Sequence, residues 1–250
     1  MQESHAMSLR KSLIVSGRRL VWPARVPPLA AFHAVGHNDA CVWGEFKFAG
    51  GAAQIAWSRA GKIMSEKYLD AKGRGHGLEV SRTFEGAIEW QVPWVHGQMH
   101  GIARQFDDLG RTLVRTRFVH GTGVDVWVNC GCVSEVREMV DGVPHGVIRW
   151  GHPLLPSEED FYFEGKRCGP LRRWVGDRLE DGFPKFYLDD EEVTRAVYLR
   201  ARTLRPLLQR YSRIDDERRR ELHPALGRVW LRKEVRTNVM ALLERRVDPS

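Results

Sequence analysis

The chain has 250 residues, with 39 Lys and Arg against 32 Asp and Glu, 24 Gly, 9 Trp and 4 Cys, and a formal net charge of +7. At 42% hydrophobic and 28% charged it is a folded protein, which excludes a disordered chain. No run approaches the roughly 18 apolar residues of a membrane-spanning helix, and four cysteines are too few for a disulfide scaffold.

Residues 1–40 lack the internal repeat of the central region. Arg10-Lys11 precedes only Ser12-Leu13-Ile14-Val15, shorter than a secretory apolar region of about 7–15 residues, so a cytoplasmic protein is expected. Leu13–Val15 and Leu20–Trp22 flank Ser16-Gly17 as a small hairpin. Pro23, Pro27 and Pro28 break regular structure after it. This stretch reads as a cap over the first strand edge.

Residues 41–187 hold 21 of the 24 glycines and 7 of the 9 tryptophans. His-Gly occurs five times, at His76, His96, His100, His120 and His145. It closes the units Gly73-Arg-Gly-His-Gly77, Gly97-Gln-Met-His-Gly101 and Gly142-Val-Pro-His-Gly146, with Gly165-Lys-Arg-Cys-Gly169 as a variant and Gly121-Thr-Gly123 as a shortened form. The closing glycines step by 24, 22, 23 and 23 residues. Between them Gly61, Gly86, Gly110 and Gly131 form a second series with steps of 25, 24 and 21. Two interleaved glycine series mark two tight turns per unit, because glycine takes positive φ at no steric cost. The segments between are strand-like, as in Thr112–Val119 and Val133–Val140, and helices are disfavoured by the recurring glycine.

The best unit is Trp94-Val-His-Gly-Gln-Met-His-Gly-Ile-Ala-Arg-Gln-Phe-Asp-Asp-Leu-Gly-Arg-Thr-Leu-Val-Arg-Thr-Arg-Phe118. It resembles the MORN-repeat group, and most closely the degenerate bacterial variant in antitoxin-like proteins. The resemblance covers roughly 41–187 and departs from the pattern near Gly50 and at Trp150-Gly-His-Pro-Leu-Leu-Pro-Ser157. It implies an elongated single-layer sheet that binds something, with protein or lipid as the usual partner.

Residues 188–250 change character. Val193, Val197, Leu204, Leu207, Leu208 and Tyr211 follow helical spacing, with Pro206 dividing the stretch or starting a new helix. Asp215 fits the N-cap of a further helix whose apolar face is Leu222, Leu226, Val229, Val235, Val239 and Leu242. Residues 193–246 carry 15 Arg and Lys against 6 Asp and Glu, a net of +9, so the rest of the chain comes to −2.

Chemistry is sparse. The turn histidines recur once per unit, about 10 Å apart along one edge, too far to share a metal ion. Cys130-Gly-Cys132 lacks a second ligand pair for zinc. Cys168 and His145 occupy the same turn position in different units, which repetition explains without catalysis. Gly73-x-Gly75-x-Gly77 does not open a helix, so a dinucleotide site is not expected. The expectation is therefore a non-enzymatic protein without metal or cofactor.

The fold expected is mainly β: an elongated single-layer antiparallel meander of about 23-residue β-hairpin repeats, with a C-terminal α-helical segment. Its parts are an N-terminal cap or extension over 1–40, a repeat sheet over 41–187 and a basic helical segment over 188–250. The first function expected is a protein-binding or scaffold module, antitoxin-like or immunity-like, that uses Trp57, Phe106, Trp127, Trp150 and Trp174. The alternative is an anionic partner, nucleic acid or membrane surface, held by Arg218, Arg219, Arg220, Arg228, Arg232, Lys233 and Arg236.

Overall fold

A computed structural model describes residues 12–15, 18–38, 41–152, 155–176, 178–216 and 223–244. Its strands are β1 (Ser12–Val15), β2 (Arg18–Val21), β3 (Ala31–His37), β4 (Cys41–Phe48), β5 (Gly51–Ser58), β6 (Ile63–Asp70), β7 (Gly77–Arg82), β8 (Ile88–Val95), β9 (Gln98–Met99), β10 (Gly101–Phe106) and β11 (Thr112–Phe118). There follow β12 (Gly123–Asn129), β13 (Cys132–Val140), β14 (Val143–His152), β15 (Leu155–Phe163), β16 (Lys166–Arg167), β17 (Pro170–Val175), β18 (Arg178–Leu179), β19 (Lys185–Leu188) and β20 (Glu191–Val193). Helix α1 (Arg195–Leu204), β21 (Trp230–Leu231) and helix α2 (Lys233–Glu244) complete the chain. The protein is mainly β, an antiparallel meander of consecutive hairpins in open sheets, as the glycine series predict. No helix among the described residues is long and apolar enough to cross a membrane.

The glycines mark two turn chemistries that do not follow the two series: Gly73 shares the turn of Gly61, Gly86 and Gly110, whereas Gly131 belongs to the other kind. At Ser58–Gly61, Asp70–Gly73, Thr83–Gly86 and Asp107–Gly110 the glycine N–H donates back to the first residue's carbonyl, at 2.8, 2.9, 3.0 and 2.8 Å. Each of these glycines has positive φ. At His120-Gly121, Cys130-Gly131, Asp141-Gly142 and Glu164-Gly165 both residues have positive φ, the geometry of a two-residue type I′ hairpin turn. Successive turns are also bonded to one another. Gly121 N–H donates to Met99 O at 2.8 Å, Gly142 N–H to Gly121 O at 3.2 Å, and Gly165 N–H to Pro144 O at 2.9 Å. Gly123 and Gly169 differ from the other closing glycines because their φ is ordinary. A Cβ there would lie 2.5 Å from Phe118 and Phe161 respectively, so close approach requires glycine at both positions.

The contacts divide the described chain into two units. One is residues up to Gly97 together with 107–110; the other is 98–106 together with the residues from Arg111. In the first unit the strand order is β3-β4-β5-β6-β7-β8. Strict alternation puts Val42, Phe46, Ala53, Ile55 and Trp57 on one buried face. The predicted hairpin is present as β1–β2, with Leu13 opposite Leu20. It does not cap the strand edge. Leu20 and Val26 pack on the buried face, and β3 supplies the edge strand instead.

In the second unit β21-β11-β10 and β12-β13-β14-β15-β17-β19-β20 give the strand orders. Val114, Val124, Val126, Val128, Val133 and Val136 line a face that Ala225, Leu226, Val229 and Val235 cover. Each buried valine or leucine there contributes about 1.5–3 kcal/mol. The β14–β15 register runs to His152↔Leu155, so this hairpin forms despite its proline-bearing connection.

The helices differ in detail from the sequence reading. Thr194 caps α1, which stops before Pro206, and Tyr198 is its buried residue. Val197, Leu204 and Leu207 lie exposed, whereas Leu208 and Tyr211 pack against Cys168 and Phe186. Instead of a long helix from Asp215 there is a 3-10 turn at Arg213–Asp216 and another at Pro224–Arg228, then β21 paired with β11. Pro224 starts a turn whose backbone direction Val229 then changes to extended. Leu226, Val229 and Val235 still share one core. Leu222 falls outside the described residues.

Candidate functional site

Two of the five predicted aromatic contacts are core residues. Trp57 has no exposed surface, donates from Nε1 to Val21 O at 2.7 Å, and lies 6.0 Å from Phe32 and 6.1 Å from Phe46. Trp174 is 4% exposed and donates to Asp216 O at 2.9 Å. Both stand on the faces that the chain's terminal segments cover. Composition gave no means of telling which face each would occupy. Phe106 is half-buried where β10 meets an irregular register with β11.

Trp127 and Trp150 lie on the opposite face of the second unit. The registers place Trp127, Glu135, Trp150, Glu158 and Arg173 side by side across β12, β13, β14, β15 and β17. Trp127 and Trp150 are half-buried. Arg173 Nε donates to Glu158 Oε2 at 2.9 Å, and Trp127 Nε1 donates to Asp125 Oδ2 at 3.3 Å. One pairing position along, Asp160 is buried with Arg167 Nε 2.6 Å away. Burial pushes the Asp160 carboxyl up to about 6 against the opposing pull of Arg167.

The basic segment is partly committed to the fold. Arg228 pairs with Glu138, and Arg232 with Glu234 at 2.8 Å. Lys233 and Arg236 are exposed, with no ion pair among the described residues. Arg115 stacks 4.2 Å over the exposed Trp230 ring. Arg218, Arg219 and Arg220 lie outside the described residues.

The turn histidines sit closer than strand spacing predicts. The rings of His76 and His96 are 5.0 Å apart, and those of His100 and His120 are 4.6 Å apart. His96 and His120 lead their turns at positive φ, while His76 and His100 lie beside the neighbouring turn, so unlike positions meet. His120 N–H donates to His100 Nδ1 at 3.2 Å, and His96 Nδ1 is 3.1 Å from Asp70 Oδ2. The Arg74 backbone N–H, above all, holds the Asp70 carboxyl well below its usual range. No group of three metal-ligating side chains occurs among the described residues. Cys168 is buried, with Asp189 at 3.3 Å and not with His145, and burial raises its thiol pKa.

The opposite face of the first unit escaped the sequence reading. Trp43, Ala56, Ser65, Ser81 and Trp90 form one row across β4 to β8. Glu45, Gln54 and Lys67 form the next, with Glu79 at 3.9 Å from Lys67. Lys67 Nζ lies 5.4 Å from the Trp94 ring centre. These residues alternate in sequence with the buried ones, so parity was the available signal, but pairing register was needed to join them.

No family model, curated protein or solved structure matches this chain.

Proposed function

We propose that the protein is a non-enzymatic, MORN-like binding module of the antitoxin or immunity type, whose second unit holds a protein partner on the Trp127–Glu135–Trp150–Glu158–Arg173 row. The reading rests on one observation. The C-terminal segment covers the valine face of this unit, while the other face carries tryptophans alternating with charged side chains. Aromatic anchors ringed by charge are the composition of interface centres, where a few residues carry most of the affinity.

The test is quantitative capture from the native lysate, comparing wild type with a Trp127→Ser, Trp150→Ser double variant of unchanged circular dichroism. One stoichiometric partner, lost with the double variant and kept with Lys233→Ala, Arg236→Ala, is expected. No partner, or a partner indifferent to the tryptophans, overturns the proposal.

The anionic-partner reading keeps Lys233 and Arg236 as its available cations. It requires DNA or anionic vesicle binding that weakens by orders of magnitude as salt rises.

A further inference from the structure

We infer that the first unit carries a second, separate site: a trough across strands β4 to β8 that takes a short, neutral, linear oligosaccharide. Its floor is Ala56, Ser65 and Ser81, three small side chains in register, and its ends are Trp43 and Trp90. Four strand spacings separate the two tryptophans, about 19 Å at roughly 4.8 Å each. The Trp43 side of the trough encloses a cavity of about 370 Å³, which also touches Glu45, Gln54, Lys67 and Glu79. That volume is within the range of small-ligand sites, about 300–1,000 Å³.

The chemistry of the walls selects the occupant. The acids are already balanced within the face: Lys47 lies 3.5 Å from Glu45, and Lys67 lies 3.9 Å from Glu79. A charged ligand would find no excess of opposite charge. Carboxylate, amide, ammonium and the Ser65 hydroxyl together accept from and donate to hydroxyl groups in either sense. Strands β4 to β7 each pair on both sides, so an extended peptide laid on this face gains no backbone ladder. A tryptophan ring is a flat apolar face with a polar edge, which matches a sugar ring's C–H face and its rim of hydroxyls. Trp43 is 37% exposed with its ring laid over Gly36 of β3, and Trp90 is half-buried, so each offers part of its ring to solvent. A chain of about four rings spans the distance between the two platforms.

The experiment is calorimetric titration of the full chain with cellotetraose, xylotetraose, maltotetraose and the tetramer of N-acetylglucosamine, alongside a panel of extended decapeptides. At least one tetrasaccharide is expected to bind with a Kd between micromolar and millimolar. Trp43→Ala and Trp90→Ala should each weaken it at least about fivefold. Ala56→Trp, which fills the floor and leaves both platforms, should abolish it. Trp127→Ser, on the proposed protein-binding face, should leave it unchanged, so the two sites fail independently. Thermal melting of each variant confirms the fold. The inference is overturned if no tetrasaccharide binds at millimolar concentration, if binding survives Trp43→Ala, Trp90→Ala and Ala56→Trp, or if only the peptides bind there.

Discussion

Replacing Glu159 by Gln should be among the most destabilising single changes in this protein. Glu159 and Arg172 have no exposed surface and Arg149 is 4% exposed. One carboxylate oxygen accepts from Arg149 Nε at 2.8 Å, and the other from Arg172 Nη1 at 3.1 Å. Arg172 Nε donates in turn to Asp216 Oδ1 at 3.2 Å. A glutamine keeps the shape but removes the charge between two buried guanidinium groups. Removing one partner of a buried pair costs about 3–5 kcal/mol, because the remaining charge stays desolvated. At about 2–4 °C per kcal/mol for a chain this size, the melting midpoint should fall by roughly 6–20 °C. Urea unfolding followed by tryptophan fluorescence measures the change. Glu158→Gln is the matched control. It is the neighbouring residue on the other face, its partner Arg173 has a side chain 46% exposed, and the loss should stay under about 1 kcal/mol. Replacing the cluster together, with Arg149→Met, Glu159→Leu and Arg172→Met, should recover most of the stability. A Glu159→Gln protein within about 1 kcal/mol of wild type would refute the reasoning.

Two further outcomes concern the turns and a buried histidine. Gly121→Ala should cost clearly more than Gly110→Ala. Both glycines have positive φ, worth about 1–2 kcal/mol to an alanine, but only at Gly121 would the new Cβ lie 2.3 Å from the Gly142 backbone nitrogen. Equal losses in denaturant titrations would contradict the turn-on-turn contact. His223 is 1% exposed, accepts from Ala225 N–H at Nδ1 and lies 3.0 Å from Val147 O at Nε2, so it folds as the neutral ring. Burial, the largest cause, lowers its pKa below 6.5. Its stabilisation is therefore present above pH 6.5 and is lost as pH falls below that. His223→Asn, which keeps a capping acceptor, should lose less stability than wild type between pH 7.5 and 5.5. Asp160 titrates in both proteins, so the difference isolates His223; parallel curves would remove it as the source.

How much of this was legible in the sequence depended on the kind of signal. Glycine spacing predicted the meander because a positive φ leaves its mark on residue type, as at Gly61, Gly86 and Gly110. The β1–β2 hairpin was readable from short range alone. Which face was buried was not readable. Trp43 and Trp57 differ in outcome only through strand parity and through what the terminal segments cover. Neither the docking of Leu20 on Phe46 nor that of Ala225 on the valine face has a local signature. The Trp43-to-Trp90 trough needed four pairing registers at once. The C-terminal helix is shorter than its apolar spacing predicts, because the spacing of Leu226, Val229 and Val235 holds equally for a turn, a short strand and a helix that share one core.

The distance between the valine face and its cover has a consequence during synthesis. Glu138, on β13, meets Arg228 across 90 residues of chain, whereas the hairpin that shields the first unit's core precedes it. At translation rates of about 5–20 residues per second, the valine face waits on the order of 5–20 s for its cover. For that interval the nascent chain presents a bare β-branched surface, so chaperone demand and aggregation should be concentrated in this second unit.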